Sequence, residues 1–146
     1  MTDRSVAEVW LGQSRAIVAG LSPGPGTWVL DGDVMALDAT TADEDLGGHV
    51  MAMLGRRATT VDVPLNKPLF AAAGVRSYRQ LYREYVVVSV DQEDGELRLD
   101  PWVPQGRGLG CPNPDRHQLL TLPAADDAVG RLVRDVARHS RRLVET

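Results

Sequence analysis

SYRQLYREYVVVSVDQEDGELRLDPWVP, residues 77 to 104, is the stretch that decides the fold. Ser77 stands three residues before Gln80, the capping-box spacing in which each side chain satisfies a backbone N–H left unpaired by the first helical turn. A short helix over about 78–84 follows, with Tyr78, Leu81, Tyr82 and Tyr85 on one apolar face. The period then changes to a β-branched run, Val86-Val87-Val88-Ser89-Val90, which reads as a central strand covered on both faces. Asp94-Gly95 supplies tight-turn chemistry. Leu97 and Leu99 alternate with Arg98 in a returning strand with one wet face.

Upstream, Val6–Trp10 and Arg15–Val18 read as two short strands around Gly12-Gln13, with one helix across Ser5 to Ala19 as the alternative. Asp31-Gly32-Asp33, between Thr27–Leu30 and Val34–Leu37, predicts a tight hairpin. Thr41-Ala42-Asp43-Glu44 is a second capping box, opening a helix over about 42–54 with Leu46, Val50, Met53 and Leu54 buried and Gly55 at its end. Gly47-Gly48 inside it costs about 1 kcal/mol per glycine relative to alanine, so either another element approaches closely there or tertiary packing compensates. Thr59 to Val63 reads as a short edge strand stopped by Pro64, and Leu65 to Val75 carries a brief helix ended by Gly74.

Downstream, Pro101 to Asp115 holds four prolines and three glycines in fifteen residues, a density that predicts a long loop without regular structure. Gln118–Leu122 reads as a last strand. A long helix over about 125–143 carries the stripe Val129, Leu132, Val133, Val136, Ala137, Ser140 and Leu143, with acidic residues at its start and basic ones at its end. These pieces compose an α+β fold in one domain spanning 1–146: a mixed or mainly antiparallel sheet packed by the three helices.

The totals bound the function. A net charge of −4 and a pI near 5.3 argue against a chain that grips a phosphate backbone and favour a basic partner. The single Cys111 fits a reducing compartment, and no stretch approaches the ~20 apolar residues of a membrane span; the expected location is cytoplasmic. Neither a cofactor nor a metal is implied.

The candidate chemistries are sparse. Gly106-Arg107-Gly108-Leu109-Gly110 resembles a phosphate loop, but Pro112 and Pro114 follow where a helix should begin. His49, His117 and His139 lack zinc spacing, and His117, beside Asp115 and Arg116, is the one with a place for acid–base work at a loop-to-strand junction. Asp91, Glu93, Asp94 and Glu96 crowd one hairpin tip, where four carboxylates on a rigid turn are able to steer and dock a basic protein. Trp102, just beyond, is a candidate anchor for such a partner.

The order of the pieces resembles the immunity proteins of bacterial contact-dependent growth inhibition, the CdiI family of the uropathogenic type. The match runs from Trp28-Val29-Leu30-Asp31-Gly32 through Thr40-Thr41-Ala42-Asp43-Glu44-Asp45-Leu46-Gly47 and the Tyr78–Tyr85 helix. It continues with Val86–Val90, the Leu97-Arg98-Leu99-Asp100-Pro101 return and the helix from Ala128-Val129-Gly130 to Ala137, covering about 27 to 143. The resemblance implies a non-enzymatic cytoplasmic inhibitor. Its partner would be the C-terminal toxin domain of a CdiA-like exoprotein, commonly a nuclease attacking tRNA, with no direct contact to nucleic acid or membrane. Two other readings stay open: a small RNA- or nucleotide-processing enzyme using His117, and a ligand-binding or regulatory module whose site is the 101–115 loop.

Overall fold

The computed structural model describes residues 4–56, 59–106 and 109–142. Val6–Trp10 and Arg15–Val18 belong to two antiparallel strands, β1 (Arg4–Leu11) and β2 (Arg15–Pro23), so the helical alternative for Ser5–Ala19 does not hold. Alternation decides it: Ala7 and Val9 turn to one core, Val6 and Trp10 to another. β3 (Trp28–Asp38) pairs with the outer edge of β2 as one continuous strand, which corrects the hairpin expected at Asp31-Gly32-Asp33. Gly32, at φ +94°, lies at a bulge where the register with β2 shifts between Ala19 and Leu21, and the chain continues in the same direction.

The remaining elements are α1 (Asp43–Gly55), α2 (Lys67–Ala73), α3 (Tyr78–Glu84), β4 (Val86–Glu93), β5 (Glu96–Gly106), β6 (Leu109–Pro112), β7 (Gln118–Thr121) and α4 (Asp126–Ala137). The sheet order is β3-β2-β1-β4-β5, with β6 and β7 both along the outer edge of β5, and every strand pair is antiparallel. β4 is central, as its valine run predicts. The β4–β5 turn has positive φ at both Asp94 and Gly95, the conformation that suits a two-residue hairpin.

Three other expectations need correction. Thr59–Val63 forms no strand; Val61 N–H donates to Pro23 O at 3.0 Å, and Leu65 makes a single parallel bridge to Asp31. The 101–115 segment is not structureless: β5 runs on to Gly106, β6 returns against it, and Pro114–Arg116 forms a 3-10 turn. Its prolines are tolerated because β5 stops pairing with β4 at Pro101, leaving a two-stranded edge where missing N–H groups break little of the ladder. The last helix ends at Ala137 because the chain turns back to the sheet. Ser140 Oγ donates to Val87 O at 2.9 Å and accepts from Trp102 N at 3.3 Å, while Arg141 N–H donates to Trp102 O at 2.9 Å. Leu143 lies outside the described residues.

The caps divide likewise. Ser77 Oγ accepts from Gln80 N–H at 3.1 Å, and Gln80 Oε1 accepts from Arg76 N–H at 3.0 Å. Thr41 does not cap α1: the cap residue is Ala42, which offers no side-chain acceptor, and this end is tied instead to α4 by Arg134, which donates to Asp43 Oδ1 and Thr41 O at 2.5 Å each. Helices α1 and α4 cover one sheet face, over Ala7, Val9, Val18, Val88, Val90, Leu97 and Leu99. Helices α2 and α3 cover part of the other, over Trp10, Ile17, Ala19, Leu21, Leu30 and Val87.

Candidate functional site

Strand register fixes what the second sheet face presents. Side chains alternate, so pairing of β1 with β4 and β4 with β5 sets Val6, Asp91 and Arg98 in one row across the strands, and Arg4, Glu93 and Glu96 in the next. Glu8, Ser89 and Asp100 form a third row towards α3. Helix α3 reaches only the third row, so the two outer rows carry mainly polar side chains instead of a helix layer. Leu119 of β7, 51% exposed, continues the Asp91–Arg98 row to the sheet edge. An open groove of about 560 Å³ runs here, lined by Asp91, Glu93, Asp94, Glu96, Arg98 and His117.

Five carboxylates, those of Glu8, Asp91, Glu93, Glu96 and Asp100, share this face with two guanidinium groups. Arg4 grips Asp91 with two N–H groups, at 3.0 Å (Nε to Oδ1) and 2.6 Å (Nη2 to Oδ2), and lies 3.8 Å from Glu93. Arg98 pairs with Asp100 at 3.1 Å. Glu93, Asp94 and Glu96 are exposed at the tip.

Where the acidic rows meet α3, the face sinks into a pocket of about 190 Å³. Its walls include Trp10, Trp28 and Trp102, which are all the tryptophans of the chain, together with Tyr78 and Tyr82. Helix α3 sets the tyrosines one turn apart above Trp10: the Trp10 and Tyr82 rings stack with centres 6.0 Å apart, and Tyr78 lies 5.5 Å from Tyr82. Glu8 is the one acid in this wall. Among the described residues its hydrogen-bond partner is the Trp10 indole N–H, at 3.3 Å, and no cation pairs with it. Burial, only partly offset by that bond, pushes its carboxyl up to about 7. Burial likewise pushes the Tyr82 phenol up to about 12, with Tyr78 and Glu8 adding to the effect, and raises that of Tyr78.

Of the residues singled out in sequence, Asp91, Glu93, Asp94 and Glu96 line the open groove together, while Trp102 stands farther along β5 in the pocket wall. Its indole Nε1 is buried with no hydrogen-bond partner among the described residues. His117 Nδ1 lies 2.6 Å from Pro114 O, and the Asp115 backbone N–H donates to Asn113 Oδ1 at 3.2 Å; among the described residues no hydrogen bond joins the imidazole to the Asp115 or Arg116 side chain. His49 Nδ1 lies 2.7 Å from Asp45 O within its own helix. In the glycine motif, Gly106 and Leu109-Gly110 are strand residues, and Arg107 and Gly108 lie outside the described residues. No group of three His, Cys, Asp or Glu able to hold a metal occurs among the described residues, and none of their helices is long and apolar enough to cross a membrane. The sequence reading missed Glu8, although a carboxylate between Val6 and Trp10, on the same strand parity, was a visible signal.

No protein-family signature and no curated protein matches the sequence. The fold has solved counterparts. A protein of unknown function from Neisseria meningitidis matches with a TM-score of 0.75 and 16% identity, over 94% of this chain and 96% of that one. A chain of the CdiA-CT/CdiI toxin and immunity complex from Yersinia pseudotuberculosis matches with a TM-score of 0.73 and 14% identity, over 94% of this chain and 98% of that one. At these identities what is shared is the fold, over 94% of this chain.

Proposed function

We propose that this chain is a single-domain immunity protein that acts in the cytoplasm, binding and neutralising the C-terminal toxin domain of a CdiA-like exoprotein. It is a binding protein and not an enzyme. The observation that carries the reading is the end-to-end likeness to a chain of a toxin and immunity complex. The half-covered sheet face supports it: an acidic surface on a rigid sheet complements a nuclease that is basic where it meets tRNA. In this reading Asp91, Glu93, Asp94 and Glu96 steer the toxin, and Trp102 contributes from the adjoining pocket. Long-range attraction sets the rate of encounter, and the aromatic wall slows release.

The test is protection in cells. Inducing the C-terminal domain of a CdiA-like exoprotein whose gene adjoins that of this chain should arrest growth, and co-expression of this chain should restore it. Arrest that persists with soluble chain present would remove the immunity reading.

A further inference from the structure

We infer that the pocket around Glu8 seats the guanidinium of an arginine side chain contributed by the protein partner. This rests on the immunity reading for the source of the arginine, but the pocket's chemistry stands independently of it. At about 190 Å³ the pocket lies below the roughly 300 Å³ at which sites begin to enclose drug-sized ligands, so its scale suits one side chain. Its walls bring tryptophan and tyrosine rings around a single carboxylate, the combination that favours a planar cation through ring quadrupoles and a charge-assisted hydrogen bond. Glu8 has an indole N–H for a neighbour and no countercharge among the described residues. A half-buried carboxylate in that condition is costly until a cation arrives. Its upward-shifted carboxyl is the expected mark of such a site.

The chain itself already shows the contact. Arg4 sets its guanidinium carbon 5.4 Å from the Trp28 ring centre, while Asp91 holds the same guanidinium at the rim. Guanidinium rather than ammonium is favoured because a planar group stacks on indole and still presents N–H groups edge-on to Glu8. The outer rows extend the same preference, since Asp91, Glu93 and Glu96 attract a basic segment towards the pocket mouth.

The experiment has two arms. In the first, the whole chain is titrated with N-acetyl-arginine amide and with the neutral isostere N-acetyl-citrulline amide, following the three indole N–H signals by NMR. Every tryptophan lines the pocket, so each signal reports on it. We expect a saturable response to arginine, at least about tenfold weaker for citrulline and about tenfold weaker in Glu8→Gln. No saturable response, or equal responses to both probes, overturns the pocket assignment whatever the toxin does. In the second arm, Glu8→Gln is titrated with inactivated toxin domain. Binding weakened about tenfold or more supports an arginine from the partner; unchanged binding alongside a positive first arm overturns that source and leaves a site for a free guanidinium ligand. Absence of any binding by the wild-type chain counts against the immunity reading and the partner source together, while the first arm still decides the pocket.

Discussion

Gly47 of α1 and Gly130 of α4 occupy the two sides of one helix crossing, each lying where the other helix's backbone leaves no room for a side chain. A Cβ on Gly47 would overlap the Asp126 carbonyl oxygen, and one on Gly130 the Asp43 carbonyl oxygen. Alanine is preferred to glycine inside a helix by about 1 kcal/mol, so propensity alone predicts that both alanine variants are stabilised. Backbone overlap reverses the sign. Gly47→Ala and Gly130→Ala should each lower stability by about 2 kcal/mol or more in urea unfolding, whereas Gly55→Ala, with open space around its Cβ, should not.

Arg56 closes the far end of the same layer. It crosses over Gly20 and pairs with Asp31, whose side chain is 2% exposed, while donating to Leu21 O at 3.1 Å and Asp33 Oδ2 at 2.9 Å. Ser22 Oγ donates to the same Asp31 carboxylate at 2.5 Å. Arg56→Met would leave Asp31 buried without its cation, at a cost of about 2–4 kcal/mol. Asp31→Asn in the Arg56→Met background should recover part of that loss. Additive losses in the double variant would contradict the pairing.

Glu8 predicts a pH dependence of defined sign. Its folded value of about 7 lies above the ordinary 4.5, so between those values the folded chain holds a proton that the unfolded chain has released. The stability linked to this group is therefore complete below about pH 4.5 and lost as pH rises through about 7. Glu8→Gln removes that slope. Subtracting its stability profile from that of the parent should leave a deficit in the parent of order 1–3 kcal/mol at pH 8 that vanishes near pH 4. A flat difference would mean that Glu8 is not held in a desolvating site.

The hairpin tip separates steering from folding. Glu93 and Glu96 are exposed, and the Arg4–Glu93 contact at 3.8 Å is a surface pair, so Glu93→Lys/Glu96→Lys should change stability by no more than about 1 kcal/mol. The same double variant should slow association with a basic toxin domain about tenfold at low salt and flatten the salt dependence. Unchanged association rates would take the tip out of the interface. Asp91 is less clean for this purpose because removing it also frees Arg4.

How much of this was legible depended on whether the deciding interaction was local. The Ser77 cap, the Val86–Val90 strand and the Asp94-Gly95 turn are set by neighbours a few residues away, and each formed where its spacing placed it. The glycines at 47 and 48 predicted a close approach or compensating packing, and the Asp126 backbone against Gly47 supplies the first. What misled was context from far along the chain. Asp31-Gly32-Asp33 has hairpin chemistry, yet pairing with β2 and the reach of Arg56 keep it inside one strand. The stripe through Ser140 continues the helical period, but Ser140 has a stronger claim on Val87 and Trp102 of the sheet. The acidic tip was visible because its four carboxylates are close in sequence. The pocket was not, because β1, β3, α3 and β5 each contribute residues to it and only the folded sheet brings them together.

The most direct test of the account is calorimetric titration of this chain into the catalytically inactivated C-terminal domain of a CdiA-like exoprotein whose gene adjoins its own. We predict one-to-one binding of nanomolar strength or better, with loss of nuclease activity when the active domain is mixed with the chain. Absence of heat at micromolar concentrations, with toxin activity intact, would contradict the account and reduce the likeness to the toxin and immunity complex to one of fold alone.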